Sequence, residues 1–158
     1  MKALVAILGL DSHWRGSVMV ARVLREVGLE VVYLGNQFPA DLVAAALQED
    51  PDLIAVSTLS GSHGTLVPEL IALLRERGLG QVPVIVGGAI PPRDVAALRA
   101  VGVTDVFPPG RHLQDLVAFV LRLTPGRAPQ RLSACSPVGG RRNHSNGPEG
   151  ENESRHSP

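Results

Sequence analysis

From its amino terminus the chain alternates short aliphatic runs with longer segments whose apolar positions recur at helical spacing. The short runs cover residues 3–8, 30–34, 53–57, 82–86 and 104–107. Each is rich in Val, Ile or Leu and is bounded by Gly, Pro or Asp, as buried strands are. Between them, residues 16–27 place Val20, Val23, Leu24 and Val27 on one face and Arg22, Arg25 and Glu26 elsewhere, which predicts an amphipathic helix closed by Gly28. A second helix is expected over 39–48, with Leu42, Val43, Ala46 and Leu47 inward. A third spans 65–77 and stops at Gly78, a fourth follows Pro91-Pro92, where proline is tolerated in a first turn, and a fifth spans 113–123.

Five strands alternating with five helices require crossover connections and a parallel sheet. The expected architecture is α/β, a flavodoxin-like (Rossmann-like) doubly wound sheet of order 2-1-3-4-5 with helices on both faces. In such a sheet the ligand crevice lies at the carboxyl ends of strands 1 and 3. Composition fits: 44% of residues are hydrophobic but only 3% aromatic, so the core must be aliphatic, as parallel strands covered on both faces prefer. Beyond residue 123 the chain is dominated by Pro, Gly, Ser, Asn and Arg. Residues 1–123 are therefore expected to form the domain and 124–158 a disordered tail, with Cys135, His144 and His156 as solvated tail residues.

Charge narrows the partners. Fifteen basic and fifteen acidic side chains cancel, so neither nucleic acid nor an anionic membrane surface is an expected partner. A single cysteine excludes an intramolecular disulfide and paired-cysteine metal sites, and a reducing cytoplasm fits best. The apolar run 3–10 ends at Asp11 and His13 without a small-residue cleavage site, so it reads as a first strand and not as a signal peptide. No stretch approaches the roughly 18 apolar residues of a membrane span.

Polar and glycine-rich departures from this pattern gather at one predicted edge. They follow strand 1 (Gly9, Asp11, His13, Gly16), strand 3 (Ser57, Thr58, Leu59, Ser60, Gly61) and strand 4 (Gly87, Gly88). Asp11 and His13 are two apart, so the carboxylate can accept a hydrogen bond from one imidazole nitrogen and leave the other free for a metal. A hydroxyl such as that of Ser57 at the end of a buried strand needs a ligand or backbone partner. Gly87-Gly88 offers a wall without side chains for a large ligand. Each motif also has an ordinary explanation: Asp-x-His as a turn device, Ser-x-Leu as nothing in particular, Gly-Gly as turn chemistry. Their shared edge points to a binding site without identifying the ligand. The loop from Gly9 to Gly16 matches neither a dinucleotide fingerprint nor a Walker loop, and Trp14 alone is too little aromatic surface to sandwich a flavin.

The set Asp11-x-His13-x-x-Gly16, Ser57-x-Leu59 and Gly87-Gly88, in this order within a five-strand α/β domain, resembles the cobalamin-binding domain family. The likeness extends through Thr65-Leu66-Val67-Pro68-Glu69-Leu70, Ala89-Ile90-Pro91-Pro92 and Val101-Gly102-Val103-Thr104-Asp105-Val106-Phe107, which resemble the carboxyl-terminal domain of methylmalonyl-CoA mutase and carry the resemblance over residues 2–123. The resemblance implies that His13 is the lower axial ligand to the cobalt of adenosylcobalamin, a cobalt corrinoid, and that Asp11 hydrogen-bonds that histidine. It implies a displaced nucleotide tail lying beside Ser57, Leu59, Ser60, Gly61, Gly87 and Gly88, with Ser12, Trp14, Arg15 and Gly16 completing the binding loop. Beyond the cobalt ligand it implies no catalytic residue here.

Two departures stand out. Mutase-like members often carry Lys four positions before the motif Asp, and here Ile7 occupies that place. Ser12-His13-Trp14-Arg15-Gly16 alters the familiar Gly-His-Asp-Arg-Gly, leaving Trp14 open between a corrin contact, a partner contact and a half-exposed loop residue.

A chain of 158 residues has no room for a (β/α)₈ barrel. The resemblance therefore implies the small subunit of an acyl-CoA mutase, an intramolecular transferase that is inactive until it docks on a large acyl-CoA-binding barrel subunit. The alternative is a non-catalytic corrinoid-binding module acting as carrier, chaperone or sensor. Methyl-carrying corrinoid proteins usually place a helical cap before this domain, and a chain opening on strand 1 favours the mutase expectation.

Overall fold

The computed structural model describes residues 1–59 and 61–123. Strands and helices alternate strictly: β1 (Lys2–Leu8), α1 (Arg15–Glu26), β2 (Glu30–Gln37), α2 (Pro39–Glu49), β3 (Leu53–Thr58), α3 (His63–Glu76), β4 (Val84–Gly88), α4 (Pro92–Val101), β5 (Asp105–Phe107) and α5 (Leu113–Leu123). The five strands form one sheet in the order β2-β1-β3-β4-β5, and every neighbouring pair is parallel. The doubly wound, flavodoxin-like arrangement expected from the hydrophobic pattern is thus present.

Strand alternation divides the core in two. Ala3, Val5, Leu53, Ala55 and Ile85 pack with Leu24 of α1 and Leu116, Phe119 and Val120 of α5. Leu4, Ala6, Leu8, Ile54, Val56, Val84 and Val86 pack on the other face with Leu42 of α2, Leu70 and Leu74 of α3 and Leu98 of α4. Each fully buried Leu or Ile contributes roughly 1.5–3 kcal/mol, so both helical layers are anchored along their length. The sheet reverses direction of growth at β1 and β3, and their carboxyl ends are left open between the two layers.

Element boundaries differ from the sequence expectation where tertiary pairing intervenes. β4 begins at Val84 and not at residue 82. Pro83 has no N–H to give to the ladder, although its carbonyl still accepts the Ile54 N–H at 2.9 Å. β4 also runs through Gly88, so the glycine pair expected after the strand is its last two residues. β2 continues past Leu34 to Gln37, and α3 starts at His63, two residues before the expected start. Among the described residues no helix is long and apolar enough to cross a membrane. The expected tail over 124–158, with Cys135, His144 and His156, lies outside the described residues.

Candidate cofactor-binding crevice

The carboxyl ends of β1, β3, β4 and β5 surround a crevice of about 720 Å³, within the size range of cofactor sites. Its floor is apolar, made by Val5, Ala55 and Ile85 of the sheet with Val20 of α1 and Leu116 of α5. Its rim is where the chain is chemically unusual.

The β1–α1 loop forms one side of that rim. Asp11 has a side chain only 2% exposed beside a His13 side chain that is 70% exposed. One Asp11 oxygen accepts the His13 backbone N–H at 2.8 Å and meets His13 Nδ1 at 2.7 Å. The other accepts the backbone N–H of Leu59 at 3.0 Å. The His13 backbone N–H, followed by its ring and the Leu59 N–H, holds the Asp11 carboxyl below the usual carboxylate range against the opposing effect of burial. An ionised Asp11 only accepts, so a ring proton sits on Nδ1, and in the neutral imidazole it is Nε2 that carries the free lone pair. Asp11 therefore stays behind the wall while His13 lines the crevice.

Helix α1 opens directly after this loop. Ser12, Trp14, Arg15 and Gly16 all line the crevice, Trp14 being 55% exposed. The Trp14 carbonyl accepts the Ser17 hydroxyl at 2.7 Å and the Val18 N–H at 3.0 Å, which tightens the first turn. A Cβ on Gly16 would meet nothing within 4 Å, so its missing side chain keeps space open.

On β3, alternation sends neighbouring residues to opposite sides. Ser57 lines the crevice, whereas Thr58, 1% exposed, turns its hydroxyl to Ser62 at 3.3 Å. Leu59 also lines the crevice and is tied back to Asp11 by its own N–H. The two β4 glycines divide their tasks. A Cβ on Gly88 would lie 1.8 Å from the Thr58 carbonyl oxygen, so glycine there is imposed by the close approach of β3. A Cβ on Gly87 would make only an ordinary 3.6 Å contact, and its absence leaves backbone as crevice wall. Of the remaining expected site residues, Gly61 is not among those lining the crevice, and Ser60 lies outside the described residues.

The opposite rim was not singled out from the sequence. Phe107 at the end of β5 and Pro108, Pro109, Gly110, Arg111 and His112 of the β5–α5 connection complete it. Arg111 donates to the Val106 carbonyl at 2.6 Å and to Asp105 at 2.9 Å and lies 4.1 Å over the Phe107 ring. Burial acts most strongly on the Asp105 carboxyl and would raise it, but hydrogen bonds from Arg111, Arg99 and the Val106 N–H together hold it below its ordinary range. The available signal was positional: loops leaving strands near the switch point at this edge border the crevice.

Among the described residues no three His, Cys, Asp or Glu side chains converge to cage a metal ion. Two imidazoles line the crevice, His13 and His112, and His13, oriented by Asp11 through Nδ1, fits a metal that arrives in its own macrocycle and needs only an axial ligand. The residues present therefore fit a metallated planar cofactor with an elongated appendage.

The B12 binding domain family matches residues 1–118. The chain is 41% identical over 128 residues to the 2-hydroxyisobutanoyl-CoA mutase small subunit of Aquincola tertiaricarbonis, covering 80% of this chain and 94% of that one. It is 42% identical over 124 residues to the pivalyl-CoA mutase small subunit of Xanthobacter autotrophicus, covering 78% and 83%. A cobalamin-binding protein from Desulfitobacterium hafniense superposes with a TM-score of 0.67 at 22% identity, over 77% of this chain and 58% of that one, a likeness of fold.

Proposed function

The chain belongs to the B12-binding domain family, and on that premise we propose that it is the cobalamin-carrying small subunit of an acyl-CoA mutase. One observation carries the proposal: Asp11 holds His13 Nδ1 at 2.7 Å, at a crevice mouth where Nε2 keeps its lone pair. His13 would ligate the cobalt through Nε2, in place of the cofactor's own base. Ser57, Leu59, Gly87 and Gly88, which line the crevice, would hold the displaced nucleotide tail. Asp11 keeps the proton on Nδ1 and raises the basicity of the ligating nitrogen, while Val5, Ala55 and Ile85 exclude water from the floor.

When bound, adenosylcobalamin supplies the radical chemistry of a carbon-skeleton rearrangement, and the protein contributes ligation and placement. A large (β/α)₈ barrel subunit holding the acyl-CoA completes the enzyme, and this chain is inactive alone. Supporting that partner, the two relatives above are themselves small subunits. Large apolar side chains that line the crevice are also left exposed, with Trp14, Met19, Leu113 and Leu59 exposed by 55%, 49%, 41% and 36%. Residues 1–123 constitute the cofactor domain, and the single cysteine suits a cytoplasmic setting.

Anaerobic titration with adenosylcobalamin tests the assignment. The wild-type spectrum is expected to become base-off and histidine-on, and His13→Ala to lose the histidine-ligated form. Mutase turnover is expected only after the barrel subunit is added, and turnover restored equally well by His13→Ala would sink the assignment. Cobalamin binding with no turnover alongside any barrel partner would favour the carrier, chaperone or sensor alternative.

A further inference from the structure

Strand β2 departs from regular pairing at one point. Its register against β1 slips between Val5 and Ala6: Tyr33 pairs with Val5, but Ala6 pairs with Gly35 and Ile7 with Asn36, leaving Leu34 as the extra residue. Gly35 carries the bulge at φ +68°, a backbone state that side chains disfavour. Val5 and Ile7 are alternate residues of β1 and share a face. The slip therefore brings their partners Tyr33 and Asn36 to one side of the sheet, although residues three apart on a regular strand point to opposite sides.

Asn36 then reaches the β1–α1 loop directly, and Tyr33 reaches it through Ser17 in the first turn of α1. Asn36 Nδ2 donates to the Asp11 backbone carbonyl at 3.0 Å. Tyr33 Oη lies 2.9 Å from Ser17 Oγ, and the Ser17 hydroxyl donates to the Trp14 carbonyl at 2.7 Å, so the tyrosine is the donor to the serine. The loop is held at Asp11 by Asn36 and at Trp14 by Tyr33 acting through Ser17. Position 7 lends no polar support, because Ile7 is apolar and 1% exposed. The Asp11 carboxylate is already committed to His13 and Leu59, so its carbonyl is the handle by which a neighbouring strand can fix it.

We propose that Asn36 and Tyr33 are positioning residues that clamp the 11–14 loop from β2, with Asn36 the stronger, and so set Asp11 against His13. This deepens the assignment of His13 as cobalt ligand and rests on it. The clamp acts on loop geometry before any cofactor binds, which separates its test from that of the ligand.

The test uses the full chain as wild type, Asn36→Leu and Tyr33→Phe. Hydrogen exchange of the His13 amide, which donates to Asp11 at 2.8 Å, is followed without cofactor, and adenosylcobalamin titration then gives the dissociation constant and the histidine-ligated fraction. Asn36→Leu is expected to exchange about three- to tenfold faster, the factor set by one ordinary hydrogen bond. Its dissociation constant should rise by a similar factor, its histidine-ligated fraction should fall, and its Tm should stay within about 2 °C of wild type. Tyr33→Phe should move exchange the same way by less than about threefold. Unchanged exchange or an unchanged ligated fraction in Asn36→Leu overturns the proposal, as does a lowered Tm with unchanged exchange, the mark of a purely structural residue. Wild-type protein that binds without a histidine-ligated spectrum defeats the His13 assignment alone, and the exchange comparison then still decides the clamp.

Discussion

The two rims of the crevice are built on the same device and use it differently. On one, Asp11 is buried and grips the exposed His13; on the other, Asp105 is buried and grips Arg99 at 2.8 Å and Arg111 at 2.9 Å. Both carboxyls are held below their ordinary range by their partners. The partners differ in what they have left. Arg111 is committed to Asp105, the Val106 carbonyl and the Phe107 ring, so it fastens the β5–α5 connection. His13 gives one nitrogen to Asp11 and keeps the other at the crevice mouth. A perturbed aspartate therefore marks a binding site only when its partner retains an unused atom facing the ligand.

The sharpest way to separate the rims is to remove each aspartate in turn. Asp105→Ala leaves Arg99 and Arg111 without their shared acceptor, and because the arginines stay partly exposed the loss of these charge-assisted hydrogen bonds is expected to lower unfolding free energy by about 2 kcal/mol. Urea unfolding measures that loss, and protein still folded should keep its histidine-ligated spectrum. Loss of ligation without loss of stability would break the comparison.

Asp11→Ala should show the reverse. Removing the group that orients a metal-binding histidine typically costs ten- to hundredfold in affinity, to be read by titration with adenosylcobalamin. Stability should fall by only about 1 kcal/mol, because the freed N–H groups of His13 and Leu59 lie in exposed connections that water can reach. A stability loss as large as that of Asp105→Ala would make Asp11 a structural residue.

The smallest effect concerns acid. Both carboxyls titrate lower in the folded state than when unfolded, so the unfolded chain takes up their protons first as pH falls. Their stabilisation is present above the ordinary aspartate value of about 3.9 and is lost as pH falls through the depressed folded values. Asp11→Asn and Asp105→Asn should therefore each lie below wild type near neutrality and converge on it at acid pH. For Asp11→Asn the neutral gap should be about 1 kcal/mol or less. Urea midpoints across this range would show it, and a gap persisting at the acid end would assign the effect to packing and not to charge.

Much of the architecture was legible in the pattern of residues, and the misreadings have particular causes. Gly35, Asn36 and Gln37 look like turn residues, yet pairing with β1 keeps them in the sheet as a bulged strand. Val82 belongs to an aliphatic run, but Pro83 cannot donate to the ladder. The third helix was expected to start at residue 65, but burial of His63 and Val67 draws it back to His63. In the site, the two-residue spacing made Asp11–His13 foreseeable. The Leu59 N–H on Asp11 and the Asn36 amide on its carbonyl were not, because they arrive from 48 and 25 residues away.

By itself the sequence determined the alternation of elements, the aliphatic composition of both core layers and the edge at which the chemistry gathers. These follow from local periodicity and from the handedness of parallel crossovers, which need no coordinates. Only the tertiary structure decided which nitrogen of His13 stays free, why Gly88 must be glycine while Gly87 is left open, and that Arg111 belongs to the wall and not to the chemistry. The two 3.0 Å hydrogen bonds between residues distant in the chain depend on strand register to within a fraction of a residue. A single slip in β2, invisible in the hydrophobic pattern, moves Asn36 to the face where it can act.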